Sequence, residues 1–85
     1  MTKMLNRSSK VVGSKQVLKG MSEGSVRCVI IASDADTELK KKLVEEAFRL
    51  RLNVMYAPSM ARLGEAAGLE VAAAAVGIGS EEENI

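Results

Sequence analysis

The feature that most constrains the fold of this chain is the apolar run at residues 26–32, in which apolar and polar side chains do not alternate. A strand with one face in water alternates between the two kinds of side chain, whereas a strand covered on both faces does not. Valine and isoleucine dominate the run, and both favour strands. The run therefore predicts a central strand that is buried on both faces.

Short helical and strand-like segments alternate after this run. Asp36 is placed to cap a helix over residues 37–50, and residues 53–57 predict a second strand. Ser59 is placed to cap a helix through Ala67 that ends at Gly68. The apolar positions of the long helix recur at helical spacing: Leu39, Leu43, Val44, Ala47, Phe48 and Leu50. This alternation predicts an α/β fold around a central sheet.

Both ends of the chain carry weaker signals. Residues 2–9 predict a short helix, and residues 10–12 a brief strand. A turn at Gly13 leads into an amphipathic helix over residues 14–23, with Ser14 placed to cap it and Gly24 to end it.

Residues 73–79 predict a strand, because two glycines weaken a helix by about 1 kcal/mol each and the sheet needs another member. Residues 80–85 contain three consecutive glutamates and predict a frayed acidic tail.

Length and charge limit the organisation and the partners. A chain of 85 residues predicts one domain, residues 1–85. Residues 1–27 carry a net charge of +5, and the remaining residues carry −4. We therefore expect an anionic partner to approach the N-terminal third of the chain.

Composition argues against several classes of function. The chain has no histidine, which is the commonest general base and metal ligand, and its single Cys28 predicts a buried structural thiol. We expect no metal, no cofactor and no enzymatic activity, since no nucleophile–base pair or phosphate loop is visible. No apolar stretch is long enough for a membrane span, so we expect a cytoplasmic protein with no membrane partner. Two aromatic residues are too few for the stacking platforms of single-strand binders.

The helix at residues 14–23 has an unusual cationic face. Lys15, Gln16 and Lys19 fall within a wedge of roughly 100° when the segment is placed on a helix, opposite the apolar positions. Backbone N–H groups are free at the start of a helix and attract phosphate. The alternative is an ordinary solvated face of a surface helix.

The segment after the fourth predicted helix is apolar where a loop is expected. Gly64 lies inside that helix, at a cost of about 1 kcal/mol relative to alanine, which indicates close approach of the sheet or of a ligand. After Gly68, Leu69 and Val71 flank Glu70 and are followed by alanines. Such a loop is either a contact surface or a cover in which Leu69 and Val71 turn inward to seal the sheet edge.

These two segments resemble the kink-turn RNA-binding family of ribosomal proteins, which contains archaeal seven-Ae, eukaryotic thirty-e and small bacterial paralogues. The similarity spans about residues 5–79, and its specific part is the run from Leu63-Gly64-Glu65 to Ala74-Ala75-Val76. Residues 29–36 are similar to the central strand of the family and the acidic turn after it. The resemblance implies a three-layer α-β-α sandwich with a central sheet of about four mixed strands.

The resemblance also implies a binding site for a kinked RNA helix. The start of the helix at Gly13, with Ser14 and Lys15, would enter the widened major groove at the kink and read its tandem sheared G·A pairs. Lys19 would contact phosphate or a base edge. Residues 69–73 would cover an extruded base through Leu69 and Val71. The backbone at Glu70 would bond RNA directly, and Ala72 belongs to the same loop.

Lys15-Gln16 departs from the Asn-Glu pair that is usual in archaeal members and is similar to the bacterial paralogues. A glutamate accepts two hydrogen bonds from a guanine edge, whereas Gln16 offers one acceptor oxygen and a donor amide. The same contact should therefore be weaker or differently oriented.

Two other charged clusters have simpler explanations than a binding site. Asp34, Asp36 and Glu38 are of the type that holds Mg²⁺, yet helix capping explains them better. The lysines at 40–42 suggest nucleic-acid binding, but Lys41 and Lys42 are spaced for pairing with Glu45 and Glu46.

Two hypotheses of function follow. The first is a monomeric, non-enzymatic RNA-binding protein that recognises a kinked helix in ribosomal or regulatory RNA, with the ribosome as a candidate partner. The alternative is a protein–protein interaction adaptor on the same fold that uses the apolar loop.

Overall fold

A computed structural model describes residues 10–79 of the chain. The helix predicted over residues 2–9 and the tail predicted over residues 80–85 lie outside this range. The elements, in chain order, are β1 (Lys10–Val12), α1 (Ser14–Glu23), β2 (Cys28–Ala32), α2 (Thr37–Arg49), β3 (Asn53–Ala57), α3 (Met60–Ala66) and β4 (Ala75–Ile78).

The four strands of the described residues form one mixed sheet in the order β1-β4-β2-β3. β2 and β3 are parallel, with Ile30 opposite Met55. β4 lies between β1 and β2 and is antiparallel to both. β1, β2 and β3 therefore run in one direction, and β4 runs against them.

Helices cover both faces of the sheet. Val29 and Ile31 of β2 are fully buried in a core with Val17 of α1 and Leu43 of α2. Ala32, on the opposite face of β2, lies in a second core with Leu63 of α3. This arrangement confirms the three-layer α-β-α sandwich, and the non-alternating run in β2 reflects its two covered faces.

Capping residues set the helix ends largely as predicted. The Asp36 side chain accepts from the Leu39 N–H at 3.2 Å, and the Ser59 side chain accepts from the Arg62 N–H at 3.1 Å. α1 ends at Gly24, which has the left-handed backbone conformation. The prediction for Ser14 was wrong: the N-cap of α1 is Gly13, with φ of +100°, and no side chain caps this helix. Gly13 takes this position because the sharp turn out of β1 requires a positive φ.

Two predictions about α2 were also wrong. Phe48 is 84% exposed, because β3 is the last of the described strands of the sheet and the core lies on the Leu43 and Ala47 side of the helix. The expected pairs of Lys41 and Lys42 are not among the ion pairs of residues 10–79, and Glu46 pairs with Arg49 at 2.7 Å instead. Exposed pairs of this kind contribute little, so either arrangement is tolerated.

The cap at Asp36 gives a direct test of how α2 is stabilised. Asp36→Ala removes the acceptor for the Leu39 N–H, and we expect it to lower the free energy of unfolding by about 1 kcal/mol. Urea denaturation measures this loss. Asp36→Asn keeps an acceptor and should recover most of it, and equal losses in the two variants would contradict the capping role.

Candidate functional site

The starts of all three described helices lie at one edge of the sheet, the edge formed by the carboxyl ends of β1, β2 and β3. Each helix follows the end of a strand, and those three strands run in the same direction. The Ser33 N–H donates to the Ala57 carbonyl at 2.8 Å, and the Ala32 N–H donates to the Ala74 carbonyl at 2.9 Å. The segment that leads into β4 therefore arrives at this same edge, beside three positive helix ends.

Only α1, of the three helices in residues 10–79, begins without a side-chain cap. Asp36 and Ser59 cap the other two, while α1 has neither a side-chain cap nor an acidic residue in its first turn. The first bond within α1 runs from the Val17 N–H to the Gly13 carbonyl at 2.8 Å. The N–H groups of the three residues before Val17 have no partner in the helix, so this start remains able to receive an anion.

α1 presents the predicted cationic face. Lys15, Gln16 and Lys19 are exposed, whereas Val17 and Met21 are buried against the sheet. The helix thus docks through its apolar side and turns two cations and an amide toward solvent. This confirms the amphipathic arrangement predicted from the sequence.

The loop at residues 69–73 fits both of the alternatives that the sequence left open, one through Leu69 and the other through Val71. Leu69 is half-buried and packs on the α3 core, as expected for a residue that seals the sheet edge. Val71 is 69% exposed, and Glu70 and Ala72 are exposed beside it. The loop is therefore anchored by Leu69 and offers Val71 as an apolar contact.

Backbone contacts with α3 hold this loop in place. The Leu69 N–H donates to the Gly64 carbonyl at 2.9 Å, and the Ala73 N–H donates to the Met60 carbonyl at 3.0 Å. The Val71 carbonyl passes so close to Gly64 that a Cβ there would overlap it and would lie 3.0 Å from the Ala72 Cα. The close approach predicted at Gly64 is thus made by the loop itself, and not by the sheet or by a ligand.

The start of α1 and the loop meet through β4. The Gly13 N–H donates to the Ala75 carbonyl at 3.0 Å, and Val12 pairs with Val76. The loop ends at Ala73, two residues before Ala75, so the open helix start and the end of the loop that carries Val71 lie at the same edge of the molecule.

The cations of the N-terminal third do not all lie at this edge. The Lys10 ammonium donates to the Ala67 carbonyl at 2.8 Å, which places a cation at the negative end of α3. Arg27 precedes β2 and therefore lies toward the opposite edge. Lys15 and Lys19 are the described cations of this third that α1 presents to solvent.

The model of the ribosomal protein L7Ae/L30e/S12e/Gadd45 family matches residues 1–84. The chain belongs to this family. Proteins named RNA-binding protein from Bacillus pumilus (strain SAFR-032) and from Geobacillus sp. (strain WCH70) are 36% and 40% identical to it over 76 residues. Each of these alignments covers 89% of this chain and 93% of the relative.

Solved structures of similar proteins have the same fold. A Giardia lamblia 15.5kD RNA binding protein superposes with a TM-score of 0.80 and 26% identity, over 88% of this chain and 63% of its own. A protein of unknown function from Bacillus halodurans C superposes with a TM-score of 0.79 and 28% identity, over 89% of this chain and 77% of its own.

In the described part of this L7Ae-family chain, no helix is long and apolar enough to cross a membrane.

The acidic turn after β2 holds backbone N–H groups near the starts of α2 and α3. Asp36 caps α2, and the Asp34 carboxylate accepts from the Met60 N–H at the start of α3 at 2.8 Å. Residues 10–79 contain no cluster of three or more metal-ligating side chains.

Cys28 is half-buried, whereas the sequence predicts a buried thiol. It is the first residue of β2 and lies at the end of the strand, and its partial burial raises the pKa of its thiol.

Two positioning contacts were not predicted from the sequence. Asp34 joins the turn after β2 to the start of α3, and Met60 in turn holds Ala73 of the loop. Lys10 holds the end of α3, just before the loop, through Ala67. Both contacts link residues far apart in the chain, so no local pattern reveals them.

Proposed function

We propose that this protein is a non-enzymatic RNA-binding protein that recognises a kinked RNA helix through the start of α1 and the loop at residues 69–73. The observation that carries the proposal is the Gly13–Ala75 hydrogen bond, which joins an uncapped cationic helix start to β4, the strand into which the exposed apolar loop leads. The names of the relatives support RNA as the partner. They lend no support to a protein adaptor.

Each part of the site would contribute a different interaction. A phosphate would accept from the N–H groups of Ser14, Lys15 and Gln16, with Lys15 and Lys19 adding charge. The Gln16 amide would donate to and accept from a base edge. Gly13 has no side chain and leaves room for the backbone of the RNA to approach.

The loop would act on a base that has left the helical stack. Val71 and Leu69 would cover its apolar face, and the exposed backbone at Glu70 and Ala72 would bond its edge. An unstacked base is what a sharp kink supplies. Ribosomal and regulatory RNAs contain such kinks, and we expect the protein to meet them in the cytoplasm.

The proposal is tested by titrating the protein with a kink-turn stem and with the same stem in which Watson–Crick pairs replace the sheared G·A pairs. We expect at least about tenfold tighter binding to the kink-turn, with affinity for both falling as salt rises. Equal affinity for the two stems would refute kink-turn recognition and leave general RNA binding intact. No binding to either stem would refute the RNA function.

Lys19 gives a quantitative test of the phosphate contact. Lys19→Ala should weaken binding to the kink-turn stem by about 1 kcal/mol, roughly fivefold, because one charge-assisted contact is lost. The slope of log affinity against log salt should fall in magnitude by about 0.7 to 0.9. Lys42→Ala, an equal change of charge on the exposed surface of α2, is the matched control. Equal weakening in both variants would show a general effect of charge and not a contact at Lys19.

A further inference from the structure

β3 has an unpaired side in the described structure. It ends the sheet, with β2 as its single neighbour among residues 10–79. The Asn53 N–H donates to the Arg27 carbonyl at 3.1 Å, and the Ala57 carbonyl accepts from the Ser33 N–H. Backbone groups alternate in direction along a strand, so those of Val54 and Tyr56 point away from β2. An edge with free N–H and C=O groups is a template for another strand.

Exposed apolar side chains surround this edge. Tyr56 is 59% exposed on the α2 face of the sheet, and Met55 is 55% exposed on the α3 face. Thr37, Lys40, Lys41 and Val44 of α2 line a surface depression together with Tyr56. Phe48 continues the same stripe of α2, four residues beyond Val44. Natural edge strands are usually protected by charge, proline or a bulge. Residues 53–57 carry none of these; Pro58 follows the strand, and Lys40 and Lys41 lie beside it on α2.

We infer that two copies of this chain associate by antiparallel pairing of their β3 strands, with a two-fold axis between the two Met55 residues. The free groups fit this register: Val54 of each copy lies opposite Tyr56 of the other, and each pair exchanges two hydrogen bonds. The pairing would extend the sheet to eight described strands. It would also bring exposed apolar side chains of β3 and α2 from both copies together.

The charges of α2 favour a second copy of the chain. The two-fold axis sets the two α2 helices antiparallel on one face of the joined sheet. The half of one helix that carries Lys41 then lies beside the half of the other that carries Glu45 and Phe48, so a cation meets a carboxylate and an aromatic ring. The surface is complementary to itself, as a two-fold interface requires.

This association does not depend on the proposed RNA function. It differs from the monomer that we expected from the sequence, because that expectation could not include a free sheet edge. The Val71→Asp variant, altered in the proposed RNA site, should associate as the wild type does.

The test is sedimentation of the RNA-free full chain from about 10 to about 500 micromolar, where a short edge strand should give a concentration-dependent dimer. Met55→Lys and Met55→Glu each place like charges directly opposite one another at the axis, and each variant alone should be monomeric. An equimolar mixture should restore the dimer, because the pair then has opposite charges. Met55→Leu, the matched control, should dimerise like the wild type.

Three results would overturn the proposal: a wild type that stays monomeric throughout, a Met55→Lys variant that still dimerises, or a mixture that stays monomeric. Circular dichroism checks that each variant is folded. If the charged variants unfold, Met55→Cys in a Cys28→Ser background serves instead. The register sets the two Cα atoms about 4.5 Å apart, within reach of a disulfide, so air oxidation should give a covalent dimer. Absence of that dimer would equally refute the pairing.

Discussion

Replacing Gly64 by alanine should weaken RNA binding by more than tenfold and lower the free energy of unfolding by about 2 to 3 kcal/mol. The added Cβ would overlap the Val71 carbonyl and press on the Ala72 Cα. Both contacts are backbone atoms, which have no rotamer by which to escape. The loop must therefore move away from α3, and the hydrogen bond from the Leu69 N–H to the Gly64 carbonyl must stretch.

Thermal or urea unfolding and a titration with the kink-turn stem measure the two losses. Gly24→Ala is the matched control: it adds a methyl group in open space at a left-handed glycine at the far end of α1. This control should cost about 1 kcal/mol of stability through backbone strain and leave affinity unchanged. A Gly64→Ala variant with normal RNA affinity would show that the position of the loop is irrelevant to binding.

Val71→Asp should reduce RNA affinity by about 100-fold while it changes the free energy of unfolding by less than about 0.5 kcal/mol. Val71 is mostly exposed, so the folded protein loses little when its side chain becomes polar. In the complex, the carboxylate would have to be desolvated against a base and close to phosphates. Loss of affinity without loss of stability is what distinguishes a contact residue from a core residue.

The titration for Val71→Asp needs a control with the same change of charge and polarity. Phe48→Asp provides it, because Phe48 is exposed near the end of α2, away from the edge where the helices start. Binding is measured at nanomolar protein, where self-association through β3 does not contribute. Similar losses in the two variants would mean that net charge, and not a contact at Val71, controls affinity.

Local patterns in the sequence predicted most of the elements. Asp36 and Ser59 were identified as caps because short polar side chains before an apolar helical repeat have one main use there. The strand in residues 73–79 was predicted despite its alanines, and it is the central member that joins β1 to β2. Where local preference and tertiary packing agree, the sequence alone is sufficient to predict the helix, strand or cap.

The same patterns failed or were incomplete where the outcome depends on the tertiary structure around a residue. Phe48 fits the apolar repeat of α2, but helical spacing does not reveal that no further strand of residues 10–79 lies beyond β3. At Gly64 the sequence indicated a close approach, and only the structure identified the Val71 carbonyl as the neighbour. Ser14 was predicted to be a cap, yet the turn out of β1 assigns that position to Gly13.

By itself the sequence determined the α/β class, the cationic face of α1 and the apolar character of residues 69–73. Each of these is a property of a few neighbouring residues, so periodicity and side-chain chemistry are enough to fix it. Only the tertiary structure decided that Gly13 bonds to Ala75, that Leu69 is anchored while Val71 is exposed, and that β3 has a free edge within residues 10–79. The reason is physical: strand order and register join residues more than sixty positions apart, and no local preference encodes which distant partner will complete a hydrogen bond.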